Sequence, residues 1–379
     1  MNRRQHIRKK PNRWTAYTIT PVIARALMDI EAARAIVERT PLSPAAEAEL
    51  RHKARVRSTH YSTRIEGNKL TLEEARDVIE QKKTHFHGRE RDAREVRNYW
   101  DALLQVEEWA TRKAEFSEDL IKRLHAIVVV GKRTRPSPYR DGQNVIRDST
   151  SGAVVYMPPE AKDVPELMAE MVRWARFAER EHVPAPIIAA LVHYQFVTIH
   201  PYYDGNGRTA RLLATFALQR DGYGLNGFFS LEEHHARDLV RYYDSLAVHQ
   251  HHNYYEGRAG ANLTAWVDYF VTLLARVFVQ AKDEAVGLAG KQVPSEPEKL
   301  RRLDPRARVV LSLFAGKERI TAWDVAAALG LSTRMVRLLL KKWTDDGWLI
   351  MADPSNRGRA YSLSATYRQL IGNREKIGR

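Results

Sequence analysis

The sequence predicts a mostly α-helical protein with one short β-hairpin inside its main helical part and a smaller domain of helices and strands at its carboxyl end. Apolar residues recur every three or four positions through most of the chain, which is the spacing of helices with one buried face. Residues 136–159 break this pattern with two short apolar runs around a Ser/Gly turn. A segment containing Gly290, Pro294 and Pro297 then separates the main part from the carboxyl-terminal domain.

The first elements are a basic arm and two helices. Residues 1 to about 20 are basic and contain Pro11, which indicates an arm laid over the rest of the chain. Helical spacing predicts a helix from Pro21 to Glu38, which ends at the break Pro41–Pro44. A second helix follows from about Ala45 to Ile65.

The end of this second helix carries a cluster of polar residues. Ser62 and Glu66 are four positions apart and therefore lie on one helical face, and Gly67 suits the position just past a helix end. Thr71 and Glu74 fit a capping box for the next helix. The local pattern by itself indicates a corner between two helices.

Further helices surround the predicted hairpin. Helical spacing predicts one ending near Lys82 and others over Arg94–Thr111, Phe116–Val130 and Val164–Ala178. Ser117 suits the N-cap of one of them, and Phe177 is expected to face inward from another. In the hairpin, Val145–Ile146 and Val154–Met157 flank the turn Ser149–Gly152.

The stretch from His200 to Arg211, His-Pro-Tyr-Tyr-Asp-Gly-Asn-Gly-Arg-Thr-Ala-Arg, lies between two apolar helices and combines several chemical groups. A Gly-Asn-Gly turn lets backbone amides approach a ligand, and they join the free amides of the next helix in favouring an anion. Arg208 and Arg211 can fork onto successive phosphates. Asp204 is a candidate ligand for the magnesium that accompanies a nucleotide, and His200 is a candidate general base. A structural histidine beside solvated arginines is the alternative, but it leaves the glycines unexplained.

Two segments between this stretch and residue 290 bear on function. His249, His251 and His252 invite a zinc interpretation, but the chain has no cysteine and no carboxylates at ligand spacing, so a polar surface loop is the preferred interpretation. Leu263 to Val279 is predicted to be the last helix of the main part.

The carboxyl-terminal domain has the element order helix, helix, turn, helix and hairpin, which resembles a winged helix. The predicted elements are Arg306–Phe314, a helix from Thr321 to Leu329, a helix over Thr333–Thr344 capped by Ser332, and the strands Trp348–Met351 and Arg359–Leu363. Residues 299–379 contain 17 basic and 7 acidic residues, a net charge of +10. The basic residues of the third helix and hairpin are Arg334, Arg337, Lys341, Lys342, Arg357 and Arg359. Binding to nucleic acid and docking to a protein both remain open.

The stretch from His200 to Arg211 resembles the motif of the Fic family, His-x-Phe-x-Asp/Glu-Gly-Asn-Gly-Arg-x-x-Arg. All defined positions match except Tyr202, where the family has Phe. The resemblance implies AMPylation, which is the transfer of AMP from ATP to a protein hydroxyl. It also implies a Fic helical core in which the hairpin is a flap that pairs with the target segment, although a structural hairpin is the alternative.

The resemblance assigns a role to each matching residue. It implies that His200 is the catalytic base and that Asp204 holds Mg²⁺. The residues implied to bind ATP are Gly205, Asn206, Gly207, Arg208, Arg211 and, in the adenine pocket, Tyr243, with Gln250 as a weaker candidate. Asn206 and the glycine amides would hold the α-phosphate, and Arg211 would hold the γ-phosphate.

Ser62-x-x-x-Glu66-Gly67 resembles the inhibitory motif of Fic proteins, Ser/Thr-x-x-x-Glu-Gly/Asn. The resemblance implies that Glu66 pairs with Arg211 and excludes the γ-phosphate, while Ser62 helps to fix the helix. The alternative is that Glu66 is a solvated glutamate.

These observations divide the chain into an N-terminal helical region with the inhibitory helix (1–115), a Fic catalytic core (116–285), a linker (286–298) and a winged-helix domain (299–379). The 379 residues include no cysteine, the amino terminus lacks a secretory signal, and no run approaches the roughly 20 apolar residues of a membrane helix. We therefore expect a cytoplasmic protein without a membrane partner. The net charge of +15 favours polyanionic partners without choosing among them.

The first functional hypothesis is a protein adenylyltransferase with ATP as co-substrate, autoinhibited by Glu66, whose target is a Ser, Thr or Tyr hydroxyl of a protein, itself included. The alternative is a DNA-binding regulator that uses residues 299–379 and senses nucleotide through its Fic domain. A third hypothesis keeps the fold and changes the donor, because relatives of the family transfer UMP, phosphocholine or a terminal phosphate, but Arg208 and Arg211 favour a triphosphate donor in the usual orientation. A homodimer is a candidate assembly.

Overall fold

The computed structural model describes residues 16–82, 86–132, 135–147, 151–290, 300, 303–315, 317–355 and 359–372. The chain divides into two compact units, one made of Met1–Arg39 and Arg51–Glu284 and the other of Thr40–Leu50 and Ala285–Arg379. Most of the predicted region 1–115 therefore packs in the same unit as the predicted core 116–285. The predicted arm over residues 1–15 lies outside the described residues.

The helices up to residue 290 include the predicted ones in the predicted order, together with two short helices between residues 231 and 246 that the sequence pattern does not predict. They are α1 Pro21–Arg39, α2 Pro44–Ile65, α3 Leu72–Ile79, α4 Glu90–Thr111, α5 Glu118–Val129, α6 Val164–Arg180, α7 Ala185–Ile199, α8 Asn206–Arg220, α9 Leu231–Arg237, α10 Leu239–Leu246 and α11 Thr264–Gly290. In the part of the chain that the structure describes, no helix combines the length and the apolar composition needed to span a membrane.

Side-chain caps determine where two of these helices begin. The predicted capping box of α3 is confirmed: Thr71 Oγ1 accepts a hydrogen bond from the Glu74 N–H at 3.2 Å, and Glu74 Oε2 accepts one from the Thr71 N–H at 2.9 Å. The predicted N-cap Ser117 accepts from the Leu120 N–H at 3.2 Å. Each cap satisfies an N–H group that the helix itself leaves unpaired.

Helix α7 forms the centre of the first unit. Each of its residues except Val197 is buried, and it packs against α6 and α8. The fully buried Trp266 of α11 donates from Nε1 to Ala190 O at 2.7 Å. A helix that is apolar on all sides must be covered on all sides, so the packing fixes the position of the loop at its carboxyl end.

The predicted hairpin is confirmed by strands β1 Ile146–Arg147 and β2 Val154–Tyr156, which pair antiparallel with Ile146 opposite Tyr156. Ser149 and Thr150 of its turn lie outside the described residues. Just beyond β2, the Met157 N–H donates to His252 O at 2.8 Å and Met157 O accepts from the Tyr254 N–H at 3.0 Å. The segment that follows α10 therefore braces the hairpin.

Two expectations about helices are wrong. Helix α11 continues to Gly290, past the predicted end at Val279 and into the predicted linker. Buried Ala281 and Ala285 extend its apolar stripe, and the glycines beyond them do not interrupt it; residues 291–298 of the linker lie outside the described residues. Phe177 is 47% exposed, because the buried stripe of α6 passes through its neighbours Trp174 and Ala178 instead.

The second unit contains helices around a small antiparallel sheet with the strand order β3-β5-β4. Its elements are α12 Pro305–Leu311, β3 Ile320–Thr321, α13 Ala322–Leu329, α14 Thr333–Asp345, β4 Leu349–Asp353, β5 Ala360–Leu363 and α15 Ala365–Gly372. Trp343 and Trp348 are fully buried with ring centroids 5.4 Å apart. The sequence pattern predicts these elements except β3, which is only two residues long, and α15; Arg357 lies outside the described residues.

Candidate active site

His200 ends helix α7 in the left-handed conformation, with φ 51° and ψ 59°. Its ring Nδ1 lies 3.2 Å from Val197 O. A carbonyl oxygen can only accept, so Nδ1 carries the hydrogen of this bond and Nε2 keeps its lone pair. Burial lowers the pKa of His200 to about 4. The ring is therefore neutral near pH 7, and Nε2 can accept a proton.

Arg140 fixes the turn after His200, and the sequence pattern does not mark it. Its side chain, buried with the rest of the residue, donates to His200 O at 2.9 Å, to Gly142 O at 2.9 Å and to Pro159 O at 2.5 Å. Its backbone N–H donates to Pro201 O at 2.9 Å. The sequence does not reveal this role, because the partners of Arg140 are backbone carbonyls and one of them lies 60 residues away in the chain.

Asn206 and Tyr202 close the loop between α7 and α8. Asn206 Oδ1 accepts from the Tyr202 N–H at 3.1 Å, and Asn206 Nδ2 donates to Tyr202 O at 2.8 Å. The Tyr202 ring stacks on the ring of His125 with centroids 3.5 Å apart, and His125 Nε2 donates to Asp204 O at 2.8 Å. The side chain of Asn206, for which the resemblance implies phosphate binding, therefore shapes the loop, and its backbone N–H lies in the first turn of α8.

Two glycines lie at the start of helix α8, one at its N-cap and one in its first turn. Gly205 has a φ of 76°, and a β-carbon there would collide with Val129 and crowd His125, so only glycine fits. A β-carbon on Gly207 would collide with the carboxylate of Glu66. The first N–H groups of α8 have no partner inside the helix, and the positive end of the helix dipole lies with them. The space beside Gly207 is therefore an anion site, and the carboxylate of Glu66 lies in it.

Arg211 of α8 is buried and bonded to the end of α2. Its Nε donates to Ser62 Oγ at 2.8 Å, and its Nη2 donates both to Ser62 O at 2.9 Å and to Glu66 Oε1 at 2.8 Å. Burial opposes the charge of Arg211, but Glu66, together with Tyr242 and Tyr99, more than offsets this, so the pKa of Arg211 lies above its usual value. Gly67 follows α2 with a φ of 93°, which ends the helix directly after Glu66.

Arg208 is also buried, and it faces Asp204. Its Nη2 donates to Asp204 Oδ1 at 3.0 Å, and its Nη1 lies 4.0 Å from Glu95 Oε1. Asp204 Oδ1 also accepts from the Gly205 N–H at 2.6 Å. Partial burial raises the pKa of Asp204, but the charge of Arg208 and the Gly205 hydrogen bond lower it further, so the net shift is downward. Asp204 is thus an ionised carboxylate beside Arg208 and the start of α8.

The chemistry of Asp204 fits a magnesium ion. Its side chain is 65% exposed, and magnesium in nucleotide sites usually takes one or two carboxylates together with phosphate oxygens and water. A cage made of protein groups alone is not seen: the described residues contain no group of three or more His, Asp or Glu side chains able to hold a metal ion. Asp204 would therefore share the ion with a bound polyphosphate.

The remaining predicted residues lie on α10 and after it. Tyr243 of α10 is 49% exposed, and its partial burial together with the nearby charge of Glu66 raises its pKa. It therefore lies within electrostatic reach of the anion site. Gln250 is exposed. His249 stacks on His251 with ring centroids 5.2 Å apart, and His252 Nδ1 donates to Val155 O at 2.8 Å.

Comparisons with known proteins agree with this geometry. Residues 115–218 match the model of the Fic/DOC family. A protein adenylyltransferase Fic of Drosophila ananassae is 28% identical over 210 residues, which are 55% of this chain and 41% of the relative. Its counterpart in Nematostella vectensis is 31% identical over 166 residues, which are 43% of this chain and 37% of the relative. The chain thus spans about two fifths of the length of these curated relatives.

A solved structure shares the fold over most of the chain. The crystal structure of a Fic family protein from Desulfovibrio desulfuricans is similar with a TM-score of 0.57 and 26% sequence identity. The similarity covers 92% of this chain and 98% of that chain.

Proposed function

Because residues 115–218 of this chain are a Fic domain, we propose that the protein is a magnesium-dependent adenylyltransferase. It transfers AMP from ATP to a Ser, Thr or Tyr hydroxyl of a protein, itself included, and Glu66 holds it inactive. The proposal rests mainly on the position of the Glu66 carboxylate, which lies beside Gly207 in the anion site and accepts a hydrogen bond from Arg211. The names of the curated relatives support the reaction class.

The polyphosphate of ATP binds along the first turns of α8. The backbone N–H groups of this end favour negative charge, and the buried guanidinium groups of Arg208 and Arg211 follow at helical spacing. Arginine suits this task, because its fixed fork matches two phosphate oxygens at once. Tyr243 is the candidate wall of the adenine pocket. Magnesium held by Asp204 and the phosphates would neutralise part of their charge.

His200 acts as the general base. Its Nε2 removes the proton of the target hydroxyl as the hydroxyl oxygen attacks the α-phosphorus. A new bond forms between this oxygen and phosphorus, the bond from the α-phosphorus to the bridging oxygen of the β-phosphate breaks, and pyrophosphate leaves. The proton on His200 then passes to solvent. Most of the acceleration comes from positioning and charge stabilisation, because the side chains form no covalent intermediate in this step.

Glu66 inhibits by occupying the place of a phosphate group. Its carboxylate accepts a hydrogen bond from Arg211 Nη2, and its negative charge would repel a γ-phosphate that approached the same arginine. Removal of this carboxylate frees one of the two hydrogen bonds that Arg211 Nη2 donates, and it opens the space beside Gly207. The protein should therefore be activated by any event that moves Glu66 away.

The proposal is tested by intact-mass measurement after incubation with ATP and magnesium. We expect an AMP adduct on Glu66→Gly, a weaker one on the wild type and none on Glu66→Gly combined with His200→Ala. Glu73→Gly is the matched control: Glu73 is an exposed glutamate of the neighbouring helix α3, and its removal should leave the wild-type level unchanged. Absence of an adduct on every variant that still binds ATP would overturn self-modification with AMP.

A second function is supported by the second unit, and we propose that it is a winged-helix domain that binds DNA. Arg334, Arg337, Lys341 and Lys342 are all exposed on helix α14, and such a helix can place its cations on phosphates while it enters a groove. Gel-shift experiments with the full chain should show affinity that falls steeply with salt. Arg334→Ala combined with Arg337→Ala should abolish the shift, whereas Arg173→Ala on helix α6 should not.

A further inference from the structure

Asn68 is a buried side chain just beyond helix α2, and the proposed reaction does not use it. It follows Gly67 and is 6% exposed. Its Nδ2 donates to Asp92 O at 3.0 Å and to Glu95 Oε2 at 3.2 Å, and its Oδ1 accepts from the Leu70 N–H at 3.1 Å. Both polar atoms of the amide are therefore bonded, and the two acceptors belong to helix α4.

The backbone around Asn68 forms the turn that closes the end of α2. The Asn68 N–H donates to Thr63 O at 3.2 Å, and the Gly67 N–H donates to Arg64 O at 3.0 Å. With the left-handed backbone of Gly67, these two bonds form a Schellman motif in which Glu66 is the C-cap residue. The turn therefore fixes the place of the Glu66 backbone.

Helix α4 holds this turn from the side. In addition to the bonds of the Asn68 side chain, the Lys69 N–H donates to Asp92 Oδ2 at 3.0 Å. The carboxylate of Glu95 that accepts from Asn68 also accepts from Arg91 Nε at 2.9 Å, through its other oxygen. These acceptors are fixed on α4, so a turn that moved away from α4 would lose its hydrogen bonds to them.

Glu66 lies in the part of α2 that would otherwise loosen first. The last residues of a helix fray more readily than its interior. Ser62 lies one turn earlier and keeps its two bonds to Arg211 when only the end of the helix opens. The hold of Asn68 on α4 therefore opposes a local motion that would withdraw Glu66 from Arg211.

We propose, resting on the inhibition by Glu66 proposed above, that Asn68 is a positioning residue. It keeps Glu66 in the anion site because it ties the turn after α2 to α4. Loss of its side-chain hydrogen bonds lets the turn leave α4, and a triphosphate then reaches Arg211 more often. The effect of Asn68 is exerted through Glu66, so it vanishes when that carboxylate is absent. A residue that merely stabilised the fold would act alike with and without Glu66.

The test is calorimetric titration of ATP, with magnesium, into full-length wild type, Asn68→Asp, Glu66→Gly and the combination of the two substitutions. An aspartate has the same shape as asparagine, but it has no N–H for Asp92 O and it repels the carboxylate of Glu95. We expect Asn68→Asp to raise the ATP affinity of the wild type about tenfold, which is the effect of losing one hydrogen bond to a charged group. In Glu66→Gly it should change the affinity by less than about twofold. Asn68→Ala, which adds no charge, should give the same pattern and decides the matter if Asn68→Asp fails to fold.

Thr71→Ala is the matched control. It removes the hydroxyl that caps helix α3, three residues further along the chain, and leaves the bonds of Asn68 in place. It should lower the stability of α3 without changing the affinity for ATP.

Unchanged ATP affinity in both Asn68 variants, or an equal change with and without Glu66, would overturn the positioning role. If Glu66→Gly itself binds ATP no more tightly than the wild type, the proposed inhibition fails and the positioning role fails with it. The two failures are therefore distinguishable.

Discussion

The carboxylate of Glu66 occupies the space that a β-carbon on Gly207 would fill. The two residues are 141 positions apart in the sequence, yet the side chain of one fits only because the other has none. The same space lies at the positive end of helix α8, where a phosphate group would bind. Gly207 thus serves both the proposed inhibited state and the proposed nucleotide complex.

Gly207→Ala should therefore weaken nucleotide binding. In the Glu66→Gly background, we expect the methyl group to weaken ATP binding by at least about tenfold, because a phosphate in near contact with the backbone has no room to shift away from it. The fold should tolerate the change, since alanine favours a helix over glycine by ~1 kcal/mol. Calorimetric titration and thermal unfolding measure the two effects. Gly287→Ala is the control, because no atom of the described residues would lie within 4 Å of its methyl group. Unchanged ATP binding in Gly207→Ala would disprove the placement of the phosphate.

The pH profile of AMP transfer should show a general base with an unusually low pKa. As the proposed general base, His200 would act only when neutral, and burial lowers its pKa to about 4. We expect kcat/KM of Glu66→Gly to stay nearly constant from pH 7.5 down to about pH 5, where a histidine with an ordinary pKa of ~6.5 would already be mostly protonated. The affinity for ATP, measured over the same range, corrects for titration of the nucleotide. An acid limb centred near pH 6.5 would contradict this prediction.

Stability should fall on mild acidification. Burial lowers the pKa of His60 and of His125 to about 4 and that of His193 to about 3. The unfolded chain binds protons at an ordinary pKa of ~6.5, so between pH 6.5 and 5 unfolding takes up protons and the folded state loses stability. Each fully shifted histidine contributes up to ~1.4 kcal/mol per pH unit in this window. Urea unfolding at several pH values measures the slope, and a flat profile from pH 6.5 to 5 would refute the depressed values.

Arg140→Lys should destabilise the loop although it keeps the charge. A lysine ammonium cannot reach His200 O, Gly142 O and Pro159 O together, so at least one of these buried or partly buried carbonyls loses its partner. We expect a loss of ~2–3 kcal/mol in the free energy of unfolding and a lower kcat, because the turn carries His200. Arg173→Lys, at an exposed position of α6, is the control for the substitution itself. A stability within experimental error of the wild type would show that the carbonyls find other partners.

Tyr202→Phe should be harmless or stabilising. The hydroxyl of Tyr202 is buried, and no hydrogen-bond partner for it is found among the described residues. Its ring stacks on His125 and would keep this contact as phenylalanine. Removal of an unpaired buried hydroxyl should raise the free energy of unfolding by up to ~1 kcal/mol, which denaturant titration resolves. A clear loss of stability or of ATP binding would reveal a partner for the hydroxyl.

The sequence predicted features that depend on neighbouring residues. The spacing of apolar side chains located most helices, and Thr71 and Ser117 marked two helix starts, because each of these signals lies within a few positions. The loop from His200 to Arg211 was visible for the same reason. The approach of Glu66 to Arg211 followed only from the family resemblance, since no spacing rule relates residues so far apart.

Features that depend on the folded backbone could not be predicted. Arg140 bonds to carbonyl groups, which every residue has, so its partners leave no mark in the sequence. Glu232 accepts hydrogen bonds from hydroxyl groups of α2, of α4 and of the N-cap residue of its own helix, and none of these donors is distinctive in the sequence. The sequence pattern predicted too short a helix α11, because its glycines suggested an earlier end. Buried alanines extend its apolar face, and the helix continues past that point.

The left-handed backbone of His200 restricts how this position can evolve. Most side chains pay ~1–2 kcal/mol in such a conformation, whereas glycine, asparagine and, to a lesser degree, histidine adopt it more readily. A descendant that no longer needed the imidazole would therefore keep α7 intact most easily with glycine or asparagine at position 200, and alanine would both remove the ring and strain the chain. Among inactive descendants, the residue found there would record the geometry of the turn long after the chemistry was lost.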